Sequence, residues 1–472
     1  MNAKDLFLSP LMLVFASSLS ASPLSPVPLG SARLTGEAQE KVDRFVDCRV
    51  ADNCDTVGGW KDCRGHGMAF SSLKEVQLIG CAFVSNGIPL SAGYGTTYSF
   101  SYQQRGFAVY ATSVPIVASN CEFRANRGLS ASANENNTSY QFGGIVSLEG
   151  NGGGTSFNHC LFAGNQSICP GGKWVAGPYD GAVYANFDTT ARTAAFDFCT
   201  FLANLSDGHG ASAALNLRKG AFTVGNSVFA HNVVGTYAGV GADVHLAAGT
   251  LAVTNTIFGG RGEGWVSSAA EGATISGLDA EGVQYGDALT VSTGDEVLAL
   301  LAGTAEKAFP KSVSPVYFVN SSAADVAKFV NLDAHLLSAE GYRRNGSDAW
   351  FTDTTQVSPA IDAADEDAPY ENEPEPNGER ANLGFYGNTD EAAKTASGTV
   401  EIPNDVDVTY PDGYSQPKIS FMLGGEGAYS ATIVVTVSTN GVAVYDEKLV
   451  GKANGDPVEV LVPYYLNTGA QM

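Results

Sequence analysis

Two glycine–histidine–glycine strings hold the side chains of this sequence that are best suited to acid–base chemistry. Near the second string, Asp188 and Asp207 precede His209, and Arg218 follows it. A positioned carboxylate and a histidine can move a proton to or from a reacting bond, so these four are the candidate catalytic residues. Both strings also stand just before a short apolar segment, and a glycine-rich turn explains that position without catalysis.

An acidic run between residues 365 and 379 could bind a metal ion, because it holds seven carboxylates in 15 residues. Ca²⁺ prefers carboxylate and carbonyl oxygens, which makes Asp365, Asp367 and Glu371 candidate ligands. The alternative is a solvated loop that its three prolines keep extended. Apart from this candidate Ca²⁺, we expect no cofactor.

Four aromatic residues alternate in one long loop: Tyr94, Tyr98, Phe100 and Tyr102. Side chains of alternating residues in an extended segment share a face, and such a stripe could stack on sugar rings. The same stripe would also suit a strand that lies against the rest of the protein. We therefore name these four residues as candidate carbohydrate-binding residues.

A repeat supplies the elements that must position these side chains. Six segments follow the pattern Cys-x-Phe-x-x-Asn or a degenerate form of it, and they begin 28 to 40 residues apart. A glycine-rich turn and a short apolar strand precede each copy, as in GGIVSL at 143–148. A repeat of this length, with strands and without helices, predicts a solenoid. The high glycine content, 55 of 472 residues, agrees with many tight turns.

The residue alternation within each copy predicts two strands joined by a bend. Positions five and seven before the phenylalanine share one strand face, whereas the phenylalanine and the residue two before it share another, so a bend lies between them. We expect the asparagine three residues after the phenylalanine to adopt a left-handed turn and to bond along the stack. Such repeats form the coils of a parallel β-helix, spaced about 4.8 Å apart.

The stacked positions form three predicted internal ladders, in which we expect the thiols to be free and buried. Their members are Phe83, Phe123, Phe162, Phe201, Phe229 and Phe258; Cys81, Cys121, Cys160 and Cys199; and Asn86, Asn126, Asn165, Asn204 and Asn232.

Other cysteines lie outside these ladders. A disulfide between Cys48 and Cys54, or between Cys54 and Cys63, could close a small loop at the N-terminal end of the coils. Free thiols are the alternative.

The paired repeat signals resemble those of polymorphic outer-membrane proteins and of the wider right-handed parallel β-helix superfamily that includes pectate lyases. The resemblance covers roughly residues 60–262. It implies the fold but not the function, because this scaffold carries lyases, hydrolases and adhesins. The Gly-His-Gly string also resembles that of polygalacturonase-type hydrolases, although the paired aspartates of those enzymes are missing here.

Two further regions follow the repeats. The string Ser-Pro-Ala-Ile-Asp-Ala at 358–363 and the Gly-Phe-Tyr-Gly string at 384–387 resemble the closing segment of secreted bacterial β-helix proteins, often called choice-of-anchor proteins. Residues 398–472 look like a small immunoglobulin-like β-sandwich with an Asn440–Gly441 hairpin turn. At about 75 residues it is shorter than the usual ~100, which favours an incomplete sandwich.

The predicted organisation is therefore all-β. It has a candidate signal segment at 1–26, a right-handed parallel β-helix at 27–330, a closing segment with an acidic loop at 331–397, and a β-sandwich at 398–472.

Charge narrows the choice of partners. The net charge of −23 argues against nucleic acid and anionic membranes, and an acidic ligand would be repelled unless a divalent cation bridged it. No apolar run reaches the length of a membrane span. We therefore expect a secreted or surface-displayed bacterial monomer that binds a polysaccharide or cell-surface glycan, or has a role in surface architecture. The alternative is a lyase or glycoside hydrolase that acts on an acidic polysaccharide.

Overall fold

The computed structural model describes residues 32–35, 42–53, 63–64, 67–87, 104–129, 144–168, 181–206, 212–234, 242–260, 265–269, 271–280, 282–292, 328–353, 356–396, 398–401, 407–409, 418–427, 431–439, 442–452 and 455–461. Strands dominate these residues, and their only helical element is one turn at 328–330. No helix among them is long and apolar enough to cross a membrane.

Twenty-seven short strands make up the N-terminal part of the described chain. In chain order they are β1 (Ala32–Thr35), β2 (Val42–Val46), β3 (Arg49–Ala51), β4 (Cys63–Arg64), β5 (Met68–Ser71), β6 (Glu75–Ile79), β7 (Ala82–Val84), β8 (Gln104–Arg105), β9 (Val109–Thr112), β10 (Ile116–Arg124), β11 (Arg127–Leu129), β12 (Val146–Gly150), β13 (Thr155–Ala163), β14 (Gln166–Ile168), β15 (Val183–Phe187), β16 (Thr193–Asp197), β17 (Thr200–Leu202), β18 (Leu205–Ser206), β19 (Leu215–Gly225), β20 (Val228–Ala230), β21 (Val233–Val234), β22 (Val244–Leu246), β23 (Gly249–Val253), β24 (Ile257–Phe258), β25 (Val266–Ser268), β26 (Ala273–Ser276) and β27 (Gln284–Tyr285).

These strands pair in parallel with the equivalent strand of the next repeat. Ala118 in β10, for example, pairs with Leu78 in β6 on one side and with Phe157 in β13 on the other. Most of them belong to one 21-stranded sheet, whereas β11, β14, β18 and β21 form a second parallel sheet. This all-β, parallel stack is compatible with a parallel β-helix.

A bend divides the strand pair of each repeat at the predicted position. The residues three before the stacked aromatic residue all have φ between 38° and 61°, the left-handed region that forces a sharp turn. These residues are Gly80, Asn120, His159, Phe198, Asn226 and Asn255. The predicted bend is confirmed, and it occurs in all six copies of the repeat.

The left-handed turn predicted for the motif asparagines lies one residue earlier. Positive φ values occur at Ser85, Ala125, Gly164, Ala203 and His231, each of which directly precedes a motif asparagine. The residue before the asparagine makes the turn, which leaves the asparagine side chain free to point into the stack. Bonding along the stack is confirmed, since each of these amides hydrogen-bonds to its neighbour.

The structure contains two further coils that the sequence motif did not identify. Cys48 and Val50 lie next to Cys81 and Phe83, and the Asn53 side chain donates to Asn86. At the other end, Tyr285 pairs with Phe258. Val50 and Tyr285 replace phenylalanine in these two coils, so neither coil matches the motif.

The interior of the stack holds the predicted ladders of phenylalanine and cysteine. Neighbouring rings of the phenylalanine ladder are nearly parallel from Phe83 to Phe229, with centroids 4.7 to 5.0 Å apart. The four predicted ladder thiols are free and buried, as expected, and Cys48 is a fifth free thiol in the row. Cys48 is thus not in a disulfide, and Cys54 lies outside the described residues. Hydrogen bonding to the neighbouring thiol raises the pKa of Cys81 and Cys121.

Residues 328–353 and 356–396, which we call the flank segment, cover the outer side of the coils. Leu161, Leu202 and Val228 point outwards, and they join the second buried apolar cluster of the protein together with Leu332 and Leu383 of the flank segment. Hydrogen bonds between residues of the coils and residues of the flank segment also stabilise this contact. The flank segment contains the antiparallel hairpin β28 (Tyr342–Arg344) and β29 (Ser347–Phe351). The segment expected to close the β-helix therefore runs along its side.

The C-terminal strands pair only in the antiparallel sense. They are β30 (Gly398–Glu401), β31 (Asp407–Thr409), β32 (Lys418–Met422), β33 (Gly424–Gly427), β34 (Ala431–Thr439), β35 (Val442–Lys452) and β36 (Pro457–Leu461). Thr439 pairs with Val442, but Asn440 and Gly441 lie outside the described residues, so the turn between them stays a prediction. The immunoglobulin-like arrangement itself stays a prediction.

Candidate functional site

One face of the parallel sheet carries a row of polar side chains that point away from the apolar interior. Because side chains alternate along a strand, inward Val109, Val146 and Val183 leave their neighbours facing outwards. The outward residues are nevertheless buried. In register they are Tyr110, Ser147, Tyr184, Asn216, His245 and Ser267.

Hydrogen bonds link several members of this polar row. Both Tyr110 Oη and Ser147 Oγ donate to the carboxylate of Glu149, at 3.4 and 3.2 Å. The Nδ1 atom of His245 lies 2.9 Å from Ser267 Oγ. These bonds satisfy polar groups that burial would otherwise leave without partners.

Arg218, one of the four candidate catalytic residues, lies beside this row. Burial and the positive charge of Arg218 lower the pKa of His245 to about 4, so its imidazole is neutral at physiological pH. Arg218, Tyr184 and Asn216 all have partners, so none of them projects freely towards a ligand.

Of the other three candidate catalytic residues, the structure describes only Asp188. Asp188 is exposed, and its backbone carbonyl, rather than its carboxylate, accepts a hydrogen bond from Lys219 Nζ at 2.6 Å. Asp207 and His209 lie outside the described residues, as do the candidate aromatic residues Tyr94, Tyr98, Phe100 and Tyr102. The catalytic and aromatic assignments therefore stay predictions.

The acidic loop is folded against the coils. The Asp365 carboxylate accepts hydrogen bonds from Asn255 Nδ2 and from the backbone N–H of Asp367, both at 3.0 Å. Glu371 Oε2 accepts from the backbone N–H of Tyr370 at 3.1 Å. Within the described ranges, no three histidine, cysteine or acidic residues are grouped closely enough to hold a metal ion. The calcium assignment stays a prediction.

Two other carboxylates of the flank segment were not singled out from the sequence: Asp362 is half-buried and Glu373 is buried. Burial raises the pKa of Asp362 to about 6 and that of Glu373 to about 7. Glu373 Oε1 accepts from the backbone N–H groups of Asn382 and Asn388, at 2.8 and 2.6 Å, whereas its Oε2 has no partner. These carboxylates fasten the loop that the acidic run had suggested as a metal site.

The hairpin β28–β29 presents an exposed tryptophan surrounded by cations. Trp350 is 37% exposed. The guanidinium carbon of Arg343 lies over its ring at 4.5 Å from the centroid, and Lys394 Nζ lies over it at 4.8 Å. Arg344 lies over the neighbouring Phe351 ring at 4.5 Å. We call Arg343, Arg344, Trp350 and Lys394 the cation–aromatic patch.

A close approach of the backbone allows Lys394 and Trp350 to meet. Gly341 has φ of +147°, and an added Cβ there would lie 3.2 Å from both Trp350 Cε3 and Lys394 Cδ. The backbone N–H of Lys394 also donates to the Gly341 carbonyl at 2.8 Å. A side chain at position 341 would therefore push the patch apart.

A buried histidine holds the neighbouring chain segments together behind the patch. His335 Nδ1 lies 2.6 Å from Asp333 Oδ1, and His335 Nε2 lies 3.1 Å from Glu391 Oε2. The ring also stacks on Tyr386 with centroids 3.7 Å apart. Asp333 Oδ2 accepts from the backbone N–H of Asn345 in the hairpin turn at 2.8 Å. The His335 cluster thus connects three separate stretches of the flank segment.

The cations of the patch outnumber the carboxylates beside them. Asp348 is the only carboxylate within ion-pair distance of the patch in the described part of the chain, and its Oδ1 lies 4.0 Å from Arg343 Nη1. Neither Arg344 nor Lys394 has an ion-pair partner there. The Asn345–Gly346 turn between two short strands is the sequence signal that could have revealed this hairpin.

Comparisons with known proteins give no relative for this chain. No family model matches it, no curated protein matches it, and no solved structure matches it.

Proposed function

We propose that this protein is a secreted or surface-displayed right-handed parallel β-helix protein that binds carbohydrate through the cation–aromatic patch. Parallel strands joined by a crossover are right-handed in almost all known cases, which supports that hand for the coils. Export is supported by the apolar N-terminal stretch within residues 1–26, which lie outside the described residues.

The observation that carries the binding role is the exposure of Trp350 among cations. Tryptophan offers a large apolar surface together with a polar N–H group, a combination suited to sugars, which have both C–H and hydroxyl faces. The flanking Arg343, Arg344 and Lys394 add hydrogen-bond donors for sugar oxygens. The hairpin rests on a buried cluster, so these groups are held in position before a ligand arrives.

The experiment is a binding titration of the full chain against a panel of polysaccharides, with Trp350→Ala as the variant. We expect at least one polysaccharide to bind the wild type, and Trp350→Ala to lose that binding. Met422→Ala is the matched control, since Met422 is an exposed apolar residue at 56% exposure on another sheet. Equal binding by the wild type and Trp350→Ala would exclude the patch as the site.

The second candidate function is a lyase or hydrolase acting on an acidic polysaccharide. It is favoured by the polar row, where Glu149, Arg218 and His245 are titratable groups on one sheet face. The test is release of unsaturated products or of reducing ends from the same panel, with and without Ca²⁺. Cleavage that His209→Ala or Asp188→Ala abolishes would replace the binding proposal with this one.

A further inference from the structure

We infer that the cation–aromatic patch selects polysaccharides that carry anionic groups, either carboxylates or sulfate esters. This inference rests on the proposed function, since it specifies the ligand of the same site. Three observations carry it: the position of the cations over the tryptophan ring, the lack of carboxylate partners, and the contrast with the charge of the whole chain.

The position of the cations favours a charged ligand over a neutral one. Arg343 and Lys394 both lie over the Trp350 ring, so a neutral sugar stacking on Trp350 competes with them for the π surface. An anionic group instead approaches the outer N–H groups of the same cations and leaves the cation–π contacts intact.

The pairing of the cations points to the same ligand class. Lys394 and Arg344 have no carboxylate partner among the described residues, and Arg344 Nη2 bonds only to Tyr342 Oη, at 3.0 Å. Lys418, by comparison, pairs with Glu459 at 2.6 Å on its own sheet. In a chain with 49 acidic and 26 basic residues, two neighbouring cations without a carboxylate at ion-pair distance are a local exception to the overall charge. They leave charge-assisted donors available for an external anion.

The net charge of −23 does not prevent this binding at short range. At 0.15 M ionic strength, charges more than about 8 Å apart are largely screened, so the patch dominates the field that a docked anion experiences. The sequence-based expectation that an acidic ligand needs a bridging Ca²⁺ is therefore unnecessary at this surface.

Four polymers distinguish whether the patch binds a carboxylate or a sulfate ester, and whether that group must be carried by a sugar. Polygalacturonate supplies carboxylates on sugars, dextran sulfate supplies sulfate esters on sugars, dextran supplies neutral sugars, and poly-glutamate supplies carboxylates without sugars. Binding is measured by titration of the full chain at 0.15 M salt with EDTA present, which removes any bridging divalent cation.

We expect polygalacturonate, dextran sulfate or both to bind at least tenfold more tightly than dextran and poly-glutamate. Arg344→Gln and Lys394→Gln should each weaken that binding about tenfold, the usual effect of losing one charge-assisted contact, while circular dichroism remains unchanged. Lys74→Gln, which removes an exposed lysine of the coils, is the matched control and should leave the affinity unchanged.

Three results would overturn the inference. The first is that dextran binds as tightly as polygalacturonate and dextran sulfate. The second is that poly-glutamate binds as tightly as those two polymers. The third is that binding disappears when EDTA is present. If dextran binds and Trp350→Ala abolishes that binding, the inference fails and the proposed function stands. If Trp350→Ala has no effect on any polymer, the proposed function fails as well.

Discussion

The interior of the coils and the flank segment stabilise the protein in different ways. Inside the coils, the asparagine ladder repeats one set of bonds. Asn126, for example, donates from Nδ2 to Asn165 Oδ1 at 3.0 Å and to the Phe83 carbonyl at 2.9 Å. In the flank segment each bond joins a different pair of residues. A repeated interaction can thus be recognised from spacing alone, whereas a unique one depends on the whole fold.

The asparagine ladder also has a direction. Each amide donates one side-chain bond to the ladder member of the next coil, and the last donor, Asn232 Nδ2, bonds to the Asp243 carboxylate at 2.9 Å. The second oxygen of Asp243 accepts from the backbone N–H of Gly259 at 2.9 Å. The ladder thus ends on a buried acidic side chain, and burial raises the pKa of Asp243 to about 7.

The flank segment depends on bonds between residues far apart in the chain. His159 Nε2 lies 2.8 Å from the Gly387 carbonyl, and Arg124 Nη1 donates to the Leu332 carbonyl at 2.7 Å. The backbone N–H of Phe385 donates to Thr200 Oγ1 at 2.9 Å. Losing one of these bonds should loosen the segment locally, whereas losing one ladder member should affect the coils on both sides.

The largest expected effect is from Asn165→Ala in the ladder. This change removes the acceptor for the backbone N–H and Nδ2 of Asn126 and the donor to the Phe123 carbonyl, all of them buried. Buried groups without partners cost about 1–3 kcal/mol each, so the free energy of unfolding should fall by about 3–5 kcal/mol. Chemical denaturation followed by far-ultraviolet circular dichroism measures the change.

Asn186→Ala is the matched control for that variant, because Asn186 is an exposed asparagine of the same coils. It should change the free energy of unfolding by less than about 0.5 kcal/mol. If both variants unfold at the same denaturant concentration, the asparagine ladder is not a principal source of stability.

The same comparison explains how much of the fold could be predicted from the sequence. The bends and the three ladders followed from spacing, because each recurs in several successive coils. The terminal coils were missed because Val50 and Tyr285 replace the phenylalanine. The left-handed residue was assigned one position late, since asparagine is common in such turns and its role inside the stack was not visible from composition.

The site was less predictable than the fold. Trp350 and Lys394 are 44 residues apart in sequence, and Gly341 brings their side chains together. No periodicity marks such a contact. The catalytic role of Arg218 stays a prediction, and its neighbour His245, which comes from the next coil, was not considered. Chemistry that arises between non-repeating segments is determined by packing, which a single sequence does not display.

A smaller effect is expected from His335→Ala in the flank segment. The variant loses the imidazole bonds to Asp333 and Glu391 and the stacking on Tyr386, which should cost about 2–3 kcal/mol. Because the His335 cluster belongs to one side of the molecule, the loss should be local. Hydrogen exchange measured by mass spectrometry should accelerate in peptides from 328–353 and 385–396 and stay unchanged in Ile116–Arg124.

Lys328→Ala, which removes an exposed side chain from the same segment, is the control and should leave exchange unchanged throughout. Equal acceleration in Ile116–Arg124 of the His335→Ala protein would mean that the coils and the flank segment unfold together. The distinction between the two regions would then be lost.

The smallest expected effect is a pH-dependent one at Glu373. Its pKa in the folded protein, about 7, lies above the usual value of 4.5, so the folded state binds more protons than the unfolded state between these values. Its contribution to the free energy of unfolding is therefore fully present below about pH 4.5 and is lost as the pH rises through about 7. Glu373→Gln cannot ionise and should be more stable than the wild type by about 1–2 kcal/mol at pH 8.5, with little difference at pH 4.5.

The measurement is the difference in unfolding free energy between the variant and the wild type at each pH. The difference is needed because burial lowers the pKa of His159, His231 and His245, and these histidines give the wild type an opposite slope. Glu371→Gln, an exposed neighbour, is the control and should show no such pH dependence. A constant difference between Glu373→Gln and the wild type from pH 4.5 to 8.5 would contradict the raised pKa. The protonated and ionised forms of Glu373 would then stabilise the folded state equally.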